Sequence, residues 1–386
     1  MGEKGVKQRF SQNDEFYSEA RPRASLHPDA TDAYSPSAAK LTSDVALFFQ
    51  AQGHPLPAHS SAKSPSAINR FFNESSWSTR TVIVVIHAYI LSQLLGYCPL
   101  GRRPWLQVIV DLTTLEKRGK FKAFASLLTV LQGKRGIHLV VLYLVVGQWR
   151  VPWSFRLYRG KGTSTPTQLA LRLIAQLPKP LTQHYRVMVL ADTGFGSVEF
   201  IQGVRKLRHH LIVGVRCDRT LTDGRSVSSL HKAGTQVRLT GLTLDVTIAW
   251  FSLKRDGQWQ KRYVLSTRAL KASPITWWGK RRWQIEGWFK AAKHRFGLHR
   301  FGQQTLKGMY RWLILSLTAY LLAHWAYLST ETASSSSFLD WAEAAEMALH
   351  QLLPQFAVLL LLLEVSCLQS LLHSQGFTIH LSRCKM

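Results

Sequence analysis

Acidic residues are what this chain has least of. Among 386 residues there are 22 Asp and Glu against 49 Lys and Arg, so the formal net charge is +27 although only 18% of residues are charged. The excess comes from scarce carboxylates, and it points to a polyanionic partner, nucleic acid first. Cysteine is thin as well. Cys98, Cys217, Cys367 and Cys384 show no C-x-x-C spacing, which argues against a disulfide scaffold or a structural zinc site and suits a reducing cytosol. The opening MGEKGVKQRFSQNDEF lacks the apolar stretch of a signal peptide, so the chain is expected in the cytoplasm. Long membrane-type runs are missing too. Trp312–Leu328 is short of the ~20 residues a span needs and contains His324, while Phe356–Leu363 is cut off by Glu364. Both are expected as buried core helices, with no membrane contact. There is no internal repeat, no H-E-x-x-H and no G-x-S-x-G. Gly160-Lys161-Gly162 and Gly133-Lys134-Arg135-Gly136 lack phosphate-loop spacing and read as basic turns, and His209-His210 reads as a solvated loop.

What is present is ample material for a core. Hydrophobic residues make up 46% and aromatics 11%, with 13 Trp, in a chain long enough for two or three domains. Residues 1–42 are polar and aperiodic and read as a flexible arm. Residues 43–100 read as a helical region suited to DNA binding, where Ser64 before Pro65 forms an N-cap signal and the following helix offers Asn69 and Arg70 outward over Ile68, Phe71 and Phe72.

The period then changes. LQVIVDLTTL (106–115), HLVVLYLVVG (138–147) and VPWSFRLYRG (151–160) are strand-like, PTQLALRLIAQL (166–177) is helical, YRVMVLAD (185–192) is a buried strand, GSVEFIQGVRKL (196–207) is helical and LIVGVR (211–216) is a strand. That order predicts an α/β fold: an RNase H-like mixed sheet flanked by helices. The right-handed crossover places the fourth strand beside the first and brings Asp111 to Asp192. Residues 101–217 and 271–328 are the two parts of this core, 218–270 a small β-rich insertion between them, and 338–386 a C-terminal helical region after the low-complexity break STETASSSS (329–337).

Three acids stand out by placement. Asp111 follows Val-Ile-Val within a strand. Asp192 ends Val-Met-Val-Leu-Ala and precedes Thr-Gly-Phe-Gly, a turn whose glycines leave room for a large ligand. Glu286 is the only acid between Arg268 and Thr305, amid Lys280, Arg281, Arg282, Lys290, Lys293, Arg295 and Arg300. A carboxylate at the end of a buried strand is costly unless paired or metal-bound. Three carboxylates suit Mg²⁺ or Mn²⁺, and two such ions are expected to activate a nucleophile and stabilise a leaving oxygen at a phosphodiester. Residues 275–297 read as one long amphipathic helix, on which Arg282, Glu286 and Lys293 fall within about 60° of each other. Ile285, Trp288, Phe289, Ala292 and Phe296 form its apolar face. Trp277 and Trp278 are open to either packing or base stacking, whereas Trp283 and Trp288 favour packing.

Asp111, Asp192-Thr193-Gly194-Phe195 and the run Arg282-x3-Glu286-x6-Lys293 resemble those of DDE transposases, specifically the insertion-sequence-four type with its Tyr-x2-Arg-x3-Glu-x6-Lys signature. The tyrosine slot is Gly279 here, preceded by Trp277 and Trp278. The resemblance covers about residues 64–325. It implies Asp111, Asp192 and Glu286 as catalytic and metal-binding residues, two divalent ions, and Arg282 and Lys293 on DNA phosphates, with Lys280, Arg281, Lys290 and Trp278 as neighbouring DNA-binding candidates. It also implies cleavage at the ends of a mobile element, strand transfer into target DNA, a homodimer in the DNA complex and association with the nucleoid. Two other readings stay open: a nuclease of the same fold that cuts without joining, and a non-catalytic DNA-binding remnant.

Overall fold

The computed structural model describes residues 38–54, 63–97, 103–255, 257–329 and 341–378. The arm expected over 1–42 lies outside them except for its last five residues, and the break at 329–337 lies outside them except for Ser329. In chain order the elements are helices α1 (Ala38–Gln50), α2 (Pro65–Asn73) and α3 (Thr79–Gly96), then strand β1 (Trp105–Glu116). Strands β2 (Thr129–Leu131), β3 (Lys134–Val146) and β4 (Trp149–Tyr158) follow. Next come α4 (Pro166–Ala175), α5 (Lys179–His184), β5 (Arg186–Ala191), α6 (Val198–Lys206) and β6 (His210–Val215). The last part holds β7 (Thr235–Val237), β8 (Val246–Arg255), β9 (Gln258–Ser266), α7 (Ala272–Arg281), α8 (Gln284–His294), α9 (Leu306–Leu328), α10 (Trp341–Met347) and α11 (Leu353–Ser374).

These elements divide into two compact units, with boundaries inside α3 and α8. Leu91–Lys290 belong to one, and the described residues of Glu19–Ile90 and Ala291–Met386 to the other. The first unit is built on one mixed sheet of nine strands among the described residues, in the order β2-β3-β1-β5-β6-β9-β8-β7, with β4 also paired to β3. Strands β3 and β4 run as antiparallel neighbours from β1, while β5 and β6 run parallel to it. The series β4-β3-β1-β5-β6 is the RNase H-like arrangement expected from the sequence. Leu106, Val108 and Val110 of β1 are fully buried, each contributing roughly 1.5–3 kcal/mol. The turn between β3 and β4 is tighter than expected and falls at Gly147 (φ +52°), with the strand resuming at Trp149. Helix α4 starts at a capping box of Thr165 and Gln168, with Pro166 at its first turn. It packs with α6 and onto β1, β3 and β4, while α7 packs onto β6, β8 and β9.

The β-rich stretch after Asp218 is less separate than the sequence implied. Strand β9 pairs antiparallel with β6 as well as with β8, from Ile212↔Ser266 to Val215↔Tyr263, so it continues the main sheet. The hydrophobic tail Tyr263-Val264-Leu265 of an otherwise exposed strand is what allows this.

The second unit is helical. Ser64 caps α2 as expected, its hydroxyl accepting from the Ala67 amide at 3.2 Å, with Ile68, Phe71 and Phe72 buried and Asn69 and Arg70 exposed. Helix α9 is buried from Arg311 through Ala326, as expected for Trp312–Leu328 except that Tyr327 and Leu328 are half-buried. The Phe356–Leu363 segment differs from expectation. Among the residues whose burial is described, only Phe356 and Leu360 are buried, while Val358, Leu359, Leu361 and Leu362 are exposed, because α11 packs a single stripe in contact with α1. By length and composition alone, Thr79–Gly96 and Trp341–Leu362 suffice to cross a membrane. A π-helical turn at Ala348–Leu352 interrupts the second.

One cation of this second unit is structural. Arg311, 1% exposed, donates to the carbonyls of Phe71 and Phe72 (both 3.1 Å), Ser75 (2.6 Å) and Trp77, and lies over the Trp77 ring. Lysine cannot serve four carbonyls from one fork. Arg311→Lys is expected to destabilise this unit by about 2 kcal/mol, measured as a lower urea midpoint at constant slope.

Candidate active site

Strand alternation puts Trp105, Gln107, Ile109 and Asp111 on one face of β1. Asp111 is nearly buried there, at 9% exposure. Its Oδ1 accepts from the Leu112 amide at 2.8 Å and its Oδ2 from Arg282 Nη1 at 2.9 Å. On the neighbouring strand the parallel register pairs Val110 with Ala191, so Asp192 leaves β5 one step past the pair that Asp111 follows. Asp192 caps a single 3₁₀ turn, Thr193–Phe195, and its Oδ1 accepts from the Gly194 amide at 3.0 Å. Glu286 lies in the first turn of α8 with a side chain 53% exposed, and its Oε1 accepts from Arg282 Nη2 at 2.7 Å. One guanidinium therefore joins Asp111 to Glu286.

Burial pushes the Asp111 carboxyl up to about 7; Arg282 and the Leu112 amide oppose this, while Asp192 and Glu286 add to it. Asp192 and Glu286 thus both act on Asp111, with the Arg282 guanidinium opposing them. Among the described residues, no three His, Cys, Asp or Glu side chains are gathered tightly enough to hold a metal ion. The donor chemistry still fits a hard divalent cation. The groups are carboxylate oxygens only, and two of them already raise the cost of charging the third.

The expected single helix over 275–297 is broken. Helix α7 ends at Arg281 and α8 begins at Gln284, with i→i+3 bonds from Trp283 to Lys280, Ile285 to Arg282 and Glu286 to Trp283. The cause is a side chain. Gln284 Nε2 donates to the Arg281 carbonyl at 2.9 Å, taking the acceptor that residue 285 would use in a continuous helix. Gln107 Oε1 of β1 fixes the break, accepting from Arg281 Nε at 3.0 Å and Gln284 Nε2 at 3.3 Å. Gln107 was not singled out from the sequence, though its place two residues from Trp105 and four from Asp111 puts it on the same face. The apolar face of α8 is as expected: Ile285, Trp288, Phe289, Ala292 and Phe296 are all buried, and Trp288 stacks on Tyr143 of β3 at 5.4 Å.

The other DNA-binding candidates divide. Lys280 and Lys290 are exposed, Arg281 is half-buried over the Trp277 ring at 4.5 Å, and Lys293 follows Glu286 by seven residues in α8 but belongs to the other unit. Trp278 is turned inward at 9% exposure, edge-on to Trp105, so its ring is packed and not offered to a ligand. Trp277 is the open one at 51%, and Trp283, expected to pack, is 40% exposed beside Phe251. Gly279, the slot of the signature tyrosine, faces β9 closely. A Cβ there would lie 3.2 Å from Val264 Cγ2, so a larger side chain requires that valine to give by a few tenths of an ångström. Gly196, the second glycine after Asp192, and Gly214 of β6 mark a close approach of the turn to the sheet. A Cβ at Gly196 would meet the Gly214 carbonyl at 2.6 Å, and one at Gly214 would meet Thr193 Oγ1 at 2.5 Å. These close approaches press the turn against β6.

A family model described as Transposase DDE domain matches residues 107–322, more than half of the chain. No curated protein matches it. Among solved structures the chain is similar to one described as the cryo-EM structure of the piggyBac transposase synaptic complex with hairpin DNA. The identity is 12% and the TM-score 0.48, covering 90% of this chain and 77% of that one.

Proposed function

We propose, since the chain belongs to the transposase DDE domain family, that it cuts DNA at the ends of a mobile element and transfers the freed strand into target DNA. Asp111, Asp192 and Glu286 are the catalytic acids of this reading, and the insertion-sequence-four type is its subtype. The observation that carries it is convergence. Acids from three segments far apart in sequence meet electrostatically at Asp111, through the β1–β5 register and the Arg282 bridge.

The three carboxylates would hold Mg²⁺ or Mn²⁺, the two ions that this chemistry uses. When bound, such ions supply Lewis-acid activation of water and charge stabilisation at the phosphorus. The chain's own residues do the rest. Arg282, now held by two carboxylates, is released to a DNA phosphate as the strand enters, and Lys280, Arg281, Lys290 and Lys293 extend the grip on the backbone. Gln107 keeps the α7–α8 break, and hence Arg282, against β1. Hydrolysis at the element end leaves a 3′-hydroxyl, which then attacks the target phosphodiester at the same acids. A homodimer brings two element ends together.

The test is a plasmid carrying this reading frame with its own genomic flanks, incubated with the protein and Mn²⁺. Cleaved flanks and joined products are expected. Cuts without joining would make the protein a nuclease of this fold, and neither cuts nor joining would leave a DNA-binding remnant.

A further inference from the structure

The starting edges of β1, β5 and β6 carry a second group of cations that this chemistry does not use. Trp105, the first residue of β1, is paired in register with Arg186, the first of β5. The Arg186 guanidinium lies over the Trp105 ring at 4.3 Å, and that of Arg268, two residues past β9, at 5.2 Å. His210, the first residue of β6, has its ring 5.8 Å from the same indole, and Arg205 Nη1 stands 3.5 Å from His210 Nδ1. Arg186, Arg205, Arg268 and His210 are all half-buried. Among the described residues, none of the three arginines has a carboxylate within salt-bridge distance.

Collecting three guanidiniums without a counter-ion is costly, and contact with the indole returns only about 0.5–2 kcal/mol for each of Arg186 and Arg268. The mutual repulsion registers on the histidine. Burial, then Arg268, Arg205, Arg186 and His209, push His210 down to about 4, so its ring is neutral at pH 7. An anion seated here would relieve the repulsion and gain donors with a fork geometry suited to phosphate.

The cluster is also connected to the acids. Trp105 meets Trp278 at 5.8 Å, Trp278 meets Trp277 at 4.8 Å, Arg281 lies over Trp277, and Arg281 bonds Gln107 on the face of β1 that bears Asp111. From Trp105 to Asp111 is six strand residues, ~20 Å. That is about six nucleotides of B-form rise.

We infer that Arg186, Arg205, Arg268 and His210, gathered around Trp105, form a phosphate-binding site that holds the DNA backbone ~20 Å from the catalytic acids. The inference rests on the proposed DNA chemistry and adds a backbone contact to it. It is tested on the full chain by anisotropy with a 30-base-pair duplex between about 50 and 200 mM salt, for wild type, Arg268→Gln and the Arg186→Gln/Arg268→Gln double variant. Each lost phosphate contact should reduce the slope of log K against log salt by about 0.9, so about one for the single and two for the double variant. The His210 ring, followed by NMR, should titrate at higher pH once duplex is added.

Should the double variant fail to fold, Arg268→Gln decides alone, because its guanidinium makes no hydrogen bond among the described residues. Wild type that binds duplex while folded Arg268→Gln keeps the full slope overturns this site and leaves the transposase reading standing. Wild type with no salt-dependent duplex binding overturns both. A His210 response to low-millimolar inorganic phosphate but none to duplex would make this a free-phosphate site and overturn the DNA assignment.

Discussion

Replacing Asp192 with alanine is expected to abolish strand cleavage, a loss of about 10³-fold or more, while DNA binding at matched salt stays within about twofold. Several kcal/mol of transition-state stabilisation rest on a carboxylate of this kind, which sets the size of the loss. Asp192 is the cleanest of the three acids to remove. Its structural duty is one hydrogen bond to the Gly194 amide across a single turn, and losing a cap of that sort costs about 1 kcal/mol. Asp111 is buried and bonded to Arg282, and Glu286 shares the same guanidinium, so either change disturbs the bridge as well as the chemistry. Asp192→Asn sharpens the result, because the amide oxygen still caps the turn but the charge is gone. Cleavage by either variant at the wild-type rate would remove Asp192 from the catalytic set and with it the proposed mechanism.

Much of this unit was legible from period and handedness. Val-Ile-Val-Asp and Val-Met-Val-Leu-Ala-Asp announce two buried strands ending near acids, and the right-handed crossover between them makes β1 and β5 neighbours, as the Val110↔Ala191 pair shows. What stayed hidden depended on side chains acting across long sequence separations. No proline or glycine marks the break between α7 and α8. It exists because Gln284 takes the Arg281 carbonyl while Gln107, some 177 positions away, takes both side chains. Gly279, Gly196 and Gly214 each mark a close approach that only the sheet reveals. The Trp105 cluster is the extreme case. Arg186, Arg205 and Arg268 share no local motif, and only the common edge of three strands gathers them.

Burial, only partly offset by Arg282, gives Asp111 a signature in stability as well as in activity. Asp111 titrates at about 7 in the folded chain against 3.8 as its ordinary value. Below about 4 the acid is protonated both folded and unfolded, and it imposes no pH dependence. As pH rises from about 4 to about 7 the unfolded chain loses this proton and the folded chain keeps it, so stability falls; above about 7 the loss is complete. Three pKa units at 1.36 kcal/mol each make this about 4 kcal/mol. Asp111→Asn removes the titration and keeps an oxygen for the guanidinium. The urea midpoint of wild type is therefore expected to fall between pH 5 and pH 8, and that of Asp111→Asn to fall much less, so the variant should be the more stable protein at pH 8. Mn²⁺ added at pH 8 should raise the wild-type midpoint, through preferential binding to the folded form, and leave the variant's nearly unchanged. Equal pH profiles for the two proteins would mean that Asp111 ionises without penalty, and the electrostatic coupling of the three acids would have to be abandoned.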